Sequence, residues 1–180
     1  MTEFLHAIGM VDTFWQLPTI LIRLVVAVIF GAIIGFEREM SLHSAGLRTH
    51  ILVALAAALY TVLTLEIFHL PEVMTNGRSD PVHAVEAVTA GIAFLGAGVL
   101  FRGGPRPHGL TTAAGMWLAG AVGMTAALGY YFIGLFVCVL AVVVLALLKA
   151  VDRQIERRRA RPERLAEPGP SAAGADVENP

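Results

Sequence analysis

Five apolar runs, at about 17–36, 51–68, 82–101, 111–128 and 130–149, alternate with short polar connections along the chain. Each approaches the ~18–20 residues that a helix needs to cross a roughly 30 Å hydrocarbon core. The connections carry turn chemistry: Gly46 in the first, Pro71, Asn76-Gly77 and Asp80-Pro81 in the second, and the Gly- and Pro-rich stretch from Arg102 to Gly109 in the third. Gly129 marks a tight fourth turn. Asp80 is placed to cap the third span, and Thr111 or Thr112 to open the fourth. The pattern predicts an all-α membrane protein, a compact bundle of about five transmembrane helices over 1–150. A basic juxtamembrane segment, continuing the last helix, and a disordered tail follow over 151–180.

Small residues recur at helical spacing inside these runs. Gly31 and Gly35 are four apart, as are Ala87 and Gly91, and the fourth span repeats Gly115, Ala119, Gly123. Lipid offers no hydrophobic gain for helix association, so close backbone approach has to supply it. Gly31, Gly35, Gly91, Gly96, Gly98, Gly115 and Gly123 are therefore the expected helix-packing positions. The third span, with small residues at nearly every turn, is expected to be the central helix, with neighbours on several sides.

Composition agrees: 56% of residues are hydrophobic, 15% are charged and the mean hydropathy is +0.70, outside the range of ordinary soluble domains. The net charge of -1 hides a segregation. Of thirteen Lys and Arg residues, Arg23 falls inside the first span and Arg78 in the second loop. All the others fall in the first loop, the third loop and the C-terminal segment, which an odd number of spans puts on one side. The positive-inside rule makes that side the cytoplasm and places the N-terminus outside. The N-terminal stretch lacks the basic region and cleavage site of a signal peptide, so no processing is expected. A lone cysteine, Cys138, excludes an intrachain disulfide.

Two charged groupings are candidates for function. Arg23 lies inside the first span at a depth matched by Glu66 and Glu86, and an unpaired charge there costs several kcal/mol. An ion pair of Arg23 with Glu86 or Glu66 is expected, as structural glue or as part of a polar route. At the cytoplasmic ends, Glu37, Arg38 and Glu39 leave span one where Arg48 and His50 enter span two. Arg102 leaves span three where Thr111 and Thr112 enter span four. Together these eight form a candidate patch for an ion, a headgroup or a protein.

Enzyme chemistry finds no foothold. His43, His50 and His108 lack metal-ligand spacing, the glycines of 91–98 are followed by no phosphate-binding Lys, and no Ser or Cys sits in a nucleophile turn. No catalytic residue, cofactor or metal site is expected. The basic C-terminal segment suits anionic lipid headgroups better than nucleic acid.

The motifs Arg23-Leu24, Gly31-x-x-x-Gly35-x-Glu37-Arg38-Glu39 and Ala45-Gly46-Leu47-Arg48-Thr49-His50 resemble the start of the MgtC/SapB family. Asp80-Pro81, Gly91-Ile92-x-Phe94-Leu95-Gly96-Ala97-Gly98, Gly109-Leu110-Thr111-Thr112-Ala113-Ala114 and Trp117 continue the resemblance over about 20–148. It implies a multi-pass protein of the bacterial inner membrane linked to magnesium homeostasis, low-magnesium growth and virulence. The founding members look like regulators acting through other membrane proteins such as the ATP synthase. A non-enzymatic regulator with a membrane-protein partner, or a homo-oligomer, is the function so implied; a magnesium or other cation transporter or channel subunit is the alternative. The chain departs from the family pattern at His83, Ala87, Ala90, Ala93 and Gly115-Met116, and Glu86 adds a carboxylate to span three. With about thirty residues after the last span, it resembles a short form without the family's ACT-like C-terminal domain.

Overall fold

The computed structural model describes residues 13–40, 45–70, 73, 80–101 and 109–166. Its elements are α1 (Leu17–Met40), α2 (Leu47–Phe68), α3 (Pro81–Phe101), α4 (Leu110–Ala127) and α5 (Tyr131–Ala166), with no strand among the described residues. All five contain a stretch long and apolar enough to cross a membrane. The helices overrun the apolar runs that mark them. Helix α1 continues through Glu37-Arg38-Glu39 to Met40, and α5 continues as helix through Pro162 to Ala166, beyond the point where disorder is expected. Hydropathy locates the edge of the hydrocarbon, whereas a helix ends where its backbone bonds end. The expected turn signals at Asn76-Gly77 and the tail beyond Ala166 lie outside the described residues.

Caps and turns follow local chemistry. Asp80 Oδ1 accepts the Val82 N–H at 2.8 Å, with Pro81 in the first turn, where its missing N–H is no loss. Neither Thr111 nor Thr112 caps α4, which starts after Gly109 at a left-handed φ of 93°. Gly129, at φ 84°, makes the tight turn into α5.

Residues 1–142 form one compact unit and 143–180 a second. In the first, α1, α2 and α4 pack against one another, and α3 lies against α4 and, less extensively, α2. A Cβ at Gly31 would stand 2.7 Å from the His50 carbonyl oxygen, and one at Gly35 2.9 Å from Leu47 Cα. A Cβ at Gly123 would fall on the Ala54 carbonyl oxygen. Helix α2 is thus clasped between the glycine faces of α1 and α4. The start of α5 docks through Gly134, where a Cβ would meet the Phe30 ring and stand 2.6 Å from Thr125 Oγ1. One turn on, Cys138 Sγ lies 3.8 Å from the Phe30 carbonyl oxygen. The second unit carries the rest of α5.

The third span is not the central helix. Only 11% of its apolar stretch is buried, against 50% for α4. Gly96 does approach Ala113, at 3.3 Å from an added Cβ, but Gly91 and Gly98 have nothing within 4 Å. Small residues permit close approach without compelling it, and here the close contacts go to α1, α2 and α4.

Candidate functional site

At the Arg38 end, the last turn of α1 meets the first turns of α2 and α4. Gly46 precedes α2 and has no side chain to cap it; Glu39 Oε2, from the preceding helix, accepts the Leu47 N–H at 2.9 Å. A Cβ on Gly46 would collide with that carboxylate oxygen. Its negative charge also suits the positive end of the helix dipole. His50, one turn in, is fully buried, and its Nδ1 lies 2.8 Å from the Gly46 carbonyl oxygen. A carbonyl only accepts, so Nδ1 carries the proton and, in the neutral ring, Nε2 holds the lone pair. Nε2 faces α4, where a Cβ on Gly115 would be 3.0 Å away. Among the described residues it has no hydrogen-bond partner.

Arg38 is 2% exposed, and its Nη2 donates to Thr112 Oγ1 at 3.2 Å, bridging α1 to α4. Its Nε, also buried, meets no acceptor among the described residues. A guanidinium so enclosed is expensive to hold, and the Thr112 hydroxyl and the neighbouring Glu37 charge offset part of that cost. The expected patch is therefore partly assembled. Arg38, His50 and Thr112 come together in the interior, Glu37 is half-buried beside Arg38, and Glu39 is exposed at the rim, on the Leu47 amide. Arg48 and Thr111 are exposed, and Arg102 lies outside the described residues.

The opposite end is organised differently from expectation. Arg23 is 7% exposed, yet among the described residues it forms no ion pair with Glu66 or Glu86. Its guanidinium carbon instead sits 4.0 Å from the centroid of the Trp15 ring, a cation–π contact. Glu66 is occupied elsewhere, accepting the backbone N–H of Phe14 at 2.7 Å and of Trp15 at 3.1 Å. Phe14 in turn stacks on His69. Glu86 is exposed, with its carboxylate 3.1 Å from His83 Nδ1. The lead-in to α1 is thus folded over the bundle end, tied by Glu66, and lays Trp15 across the buried cation. A need for a partner at Arg23 is legible in sequence; an aromatic face meets it in part, and the buried Arg23 Nε has no hydrogen-bond partner among the described residues.

The profile of the MgtC family matches residues 24–154. The chain belongs to the MgtC family. It is 35% identical over 130 residues to Protein MgtC of Brucella abortus, covering 72% of this chain and 51% of that protein. Against the putative magnesium transporter YhiD of Escherichia coli K12 it is 35% identical over 125 residues, 69% of this chain and 58% of the other. An uncharacterized protein of Haemophilus influenzae is 32% identical over 141 residues, 77% of this chain and 59% of that one. The chain thus spans about half to three-fifths of the length of these relatives. No solved structure matches it. The MgtC-family region takes in the whole Arg38–His50–Thr112 cluster, whereas Trp15 and Arg23 precede it.

Sequence reasoning missed Trp15 as the partner of Arg23, Gly46 as the seat of Glu39, and Gly134 and Cys138 as the docking face of α5. The last pair had a signal, since two small residues four apart lie on one helix face. Among the described residues no three His, Cys, Asp or Glu side chains are grouped to hold a metal ion.

Proposed function

We propose that this chain is a non-enzymatic, multi-pass protein of a bacterial inner membrane that regulates magnesium homeostasis through contacts with other membrane proteins. The basic loops and C-terminal segment face the cytoplasm, where the arginines that follow α5's apolar stretch engage anionic headgroups. Magnesium enters through the name of one relative, the putative magnesium transporter YhiD of Escherichia coli. The contact mechanism rests on one observation, the apolar layer between the two polar ends.

Arg23 and Arg38 are separated by about 22 Å along α1, at 1.5 Å per residue. The buried α1 positions between them are Ala27, Phe30, Gly31, Ile34 and Gly35. Facing them are Val53, Ala54, Ala57 and Ala58 of α2, and Ala119, Val122, Gly123 and Ala126 of α4. The buried polar side chain at this level, Thr61, donates to the Ala57 carbonyl of its own helix at 2.8 Å. A hard divalent cation requires several oxygen ligands or retained waters along its path, and a close-packed Ala, Gly and Val seam offers neither. The name of the Escherichia coli relative favours the second reading, an ion transporter or channel subunit, and one experiment separates the two.

Purified full chain in liposomes loaded with a magnesium-sensitive dye is expected to give no flux above protein-free vesicles. In parallel, deletion of the gene is expected to alter growth in low-magnesium medium, with restoration by the full chain. Magnesium-dependent dye signal from the protein would overturn the regulator reading in favour of transport.

A further inference from the structure

An elongated cavity of about 640 Å³ opens between α2 and α3. Its walls are largely apolar, lined by Ala56 and Tyr60 of α2 and Gly91 of α3 among others. At the near end stand Arg48 and Thr49, in the first turn of α2. Arg48 is exposed, and among the described residues neither its guanidinium nor the Thr49 hydroxyl has a hydrogen-bond or ion-pair partner. Glu39 already holds the Leu47 amide on the α1 side, so an anion arriving here has the Arg48 side chain, rather than the helix terminus, to bind.

The groove is polar at one end and greasy along the rest, and its length has a meaning in a bilayer. From Arg48 to Tyr60 α2 rises about 18 Å, close to half of a ~30 Å hydrocarbon core plus the start of the headgroup region. A cation therefore lies at headgroup level, with an apolar channel running one leaflet deep beneath it. Gly91 borders open space, since an added Cβ there would meet nothing within 4 Å. From this charge and shape complementarity we infer that the α2–α3 groove is a binding site for one anionic phospholipid. An acyl chain lies between the helices, and its phosphate rests against Arg48 and the Thr49 hydroxyl. Basic pockets between membrane helices bind anionic headgroups by the same physics.

The test is native mass spectrometry of the full-length chain in mild detergent, titrated with dipalmitoyl-phosphatidylglycerol or its zwitterionic phosphatidylcholine counterpart. The wild type is expected to retain one phosphatidylglycerol in preference to phosphatidylcholine. Arg48→Gln should weaken phosphatidylglycerol retention about fivefold, the factor equivalent to ~1 kcal/mol per basic residue near the headgroups, and leave phosphatidylcholine unchanged. Gly91→Leu should reduce both lipids by filling the groove, and Ala56→Leu on the opposite wall should do the same. Continued shielding of Cys138 from maleimide shows that each variant is folded. Phosphatidylglycerol retained at the wild-type level in Arg48→Gln, or in both groove-filling variants, overturns the site and assigns lipid retention to the basic tail. A dimer that dissociates in the groove-filling variants, with no lipid adduct in the wild type, overturns it in favour of a second copy. Competition by inorganic phosphate at equal concentration overturns it in favour of a free anion.

Discussion

Gly123→Ala and Gly91→Ala make the same chemical change in two helix interiors, and their difference isolates the close approach of α2 to α4. Each gains up to ~1 kcal/mol of helix propensity from Gly to Ala, a term that cancels in the comparison. At Gly91 the new methyl enters open space. At Gly123 it falls on the Ala54 carbonyl oxygen and within 2.9 Å of the Ala54 carbonyl carbon and Cα. These are backbone atoms, so no rotamer change relieves the clash and α2 itself must recede. Reaching ordinary contact at 3.4 Å requires half an ångström for the two carbons and more for the oxygen, and Ala54 Cβ is already pressed towards Gly31 on the other side, at 2.9 Å from a Cβ built there. Overpacking of this kind costs typically ~1–3 kcal/mol. For a chain of this size ~2 kcal/mol corresponds to about 4–8 °C in Tm. Cys138 is the sole cysteine and fully buried, so a fluorogenic maleimide reports unfolding in detergent with one signal per chain. Gly123→Ala should melt about 4–8 °C below Gly91→Ala, which should match or slightly exceed the wild type. Equal melting of the two variants would refute the clasped arrangement of α2.

The buried cation at Arg38 supports a double-mutant cycle. Thr112→Val removes the hydroxyl that Arg38 Nη2 donates to and should cost about 1.5–3 kcal/mol, read by the same thermal assay. Arg38→Met removes the charge with its need, so Thr112→Val added to Arg38→Met should cost much less; additive losses would show that the bond carries no energy. At the other end, Trp15→Leu uncovers Arg23 and should lower stability by ~0.5–2 kcal/mol, and Arg23→Met should abolish most of that sensitivity. Glu66→Ala releases the Phe14 and Trp15 amides and should speed their hydrogen exchange, whereas Glu86→Ala, with an exposed side chain, should leave it unchanged.

Which parts of this arrangement a reader of the chain alone would recover follows from the range of the forces involved. The spans are written in runs of apolar residues, and the Gly31–Gly35 face announces itself by spacing, so both are local signals. The Arg38–Thr112 bond joins residues 74 positions apart and depends on the rotational register of α1 against α4, which neither helix encodes by itself. Gly115 reads as a packing residue, and its neighbour, the His50 ring, becomes visible only in three dimensions. Glu66 shows the opposite failure. A carboxylate near a buried arginine invites an ion pair, yet two adjacent backbone amides are competitors that a search for opposite charges passes over. The peripheral seat of helix α3 is hidden from sequence for a related reason, because glycine content measures how near a neighbour can come and says nothing of whether one does.

The glycine seam that joins α1, α2 and α4 also limits how this protein can move. Helices separated by long side chains slide past one another in small steps as rotamers adjust, the shear mode of conformational change. Here carbonyl oxygens and Cα atoms of α2 lie directly over the glycines of α1 and α4, so longitudinal sliding would drive backbone into Cβ atoms on neighbouring turns. The three helices therefore behave as one stiff wedge. Any rearrangement of the bundle is then a tilt or rotation of the whole wedge, with lightly seated α3 as the element free to yield.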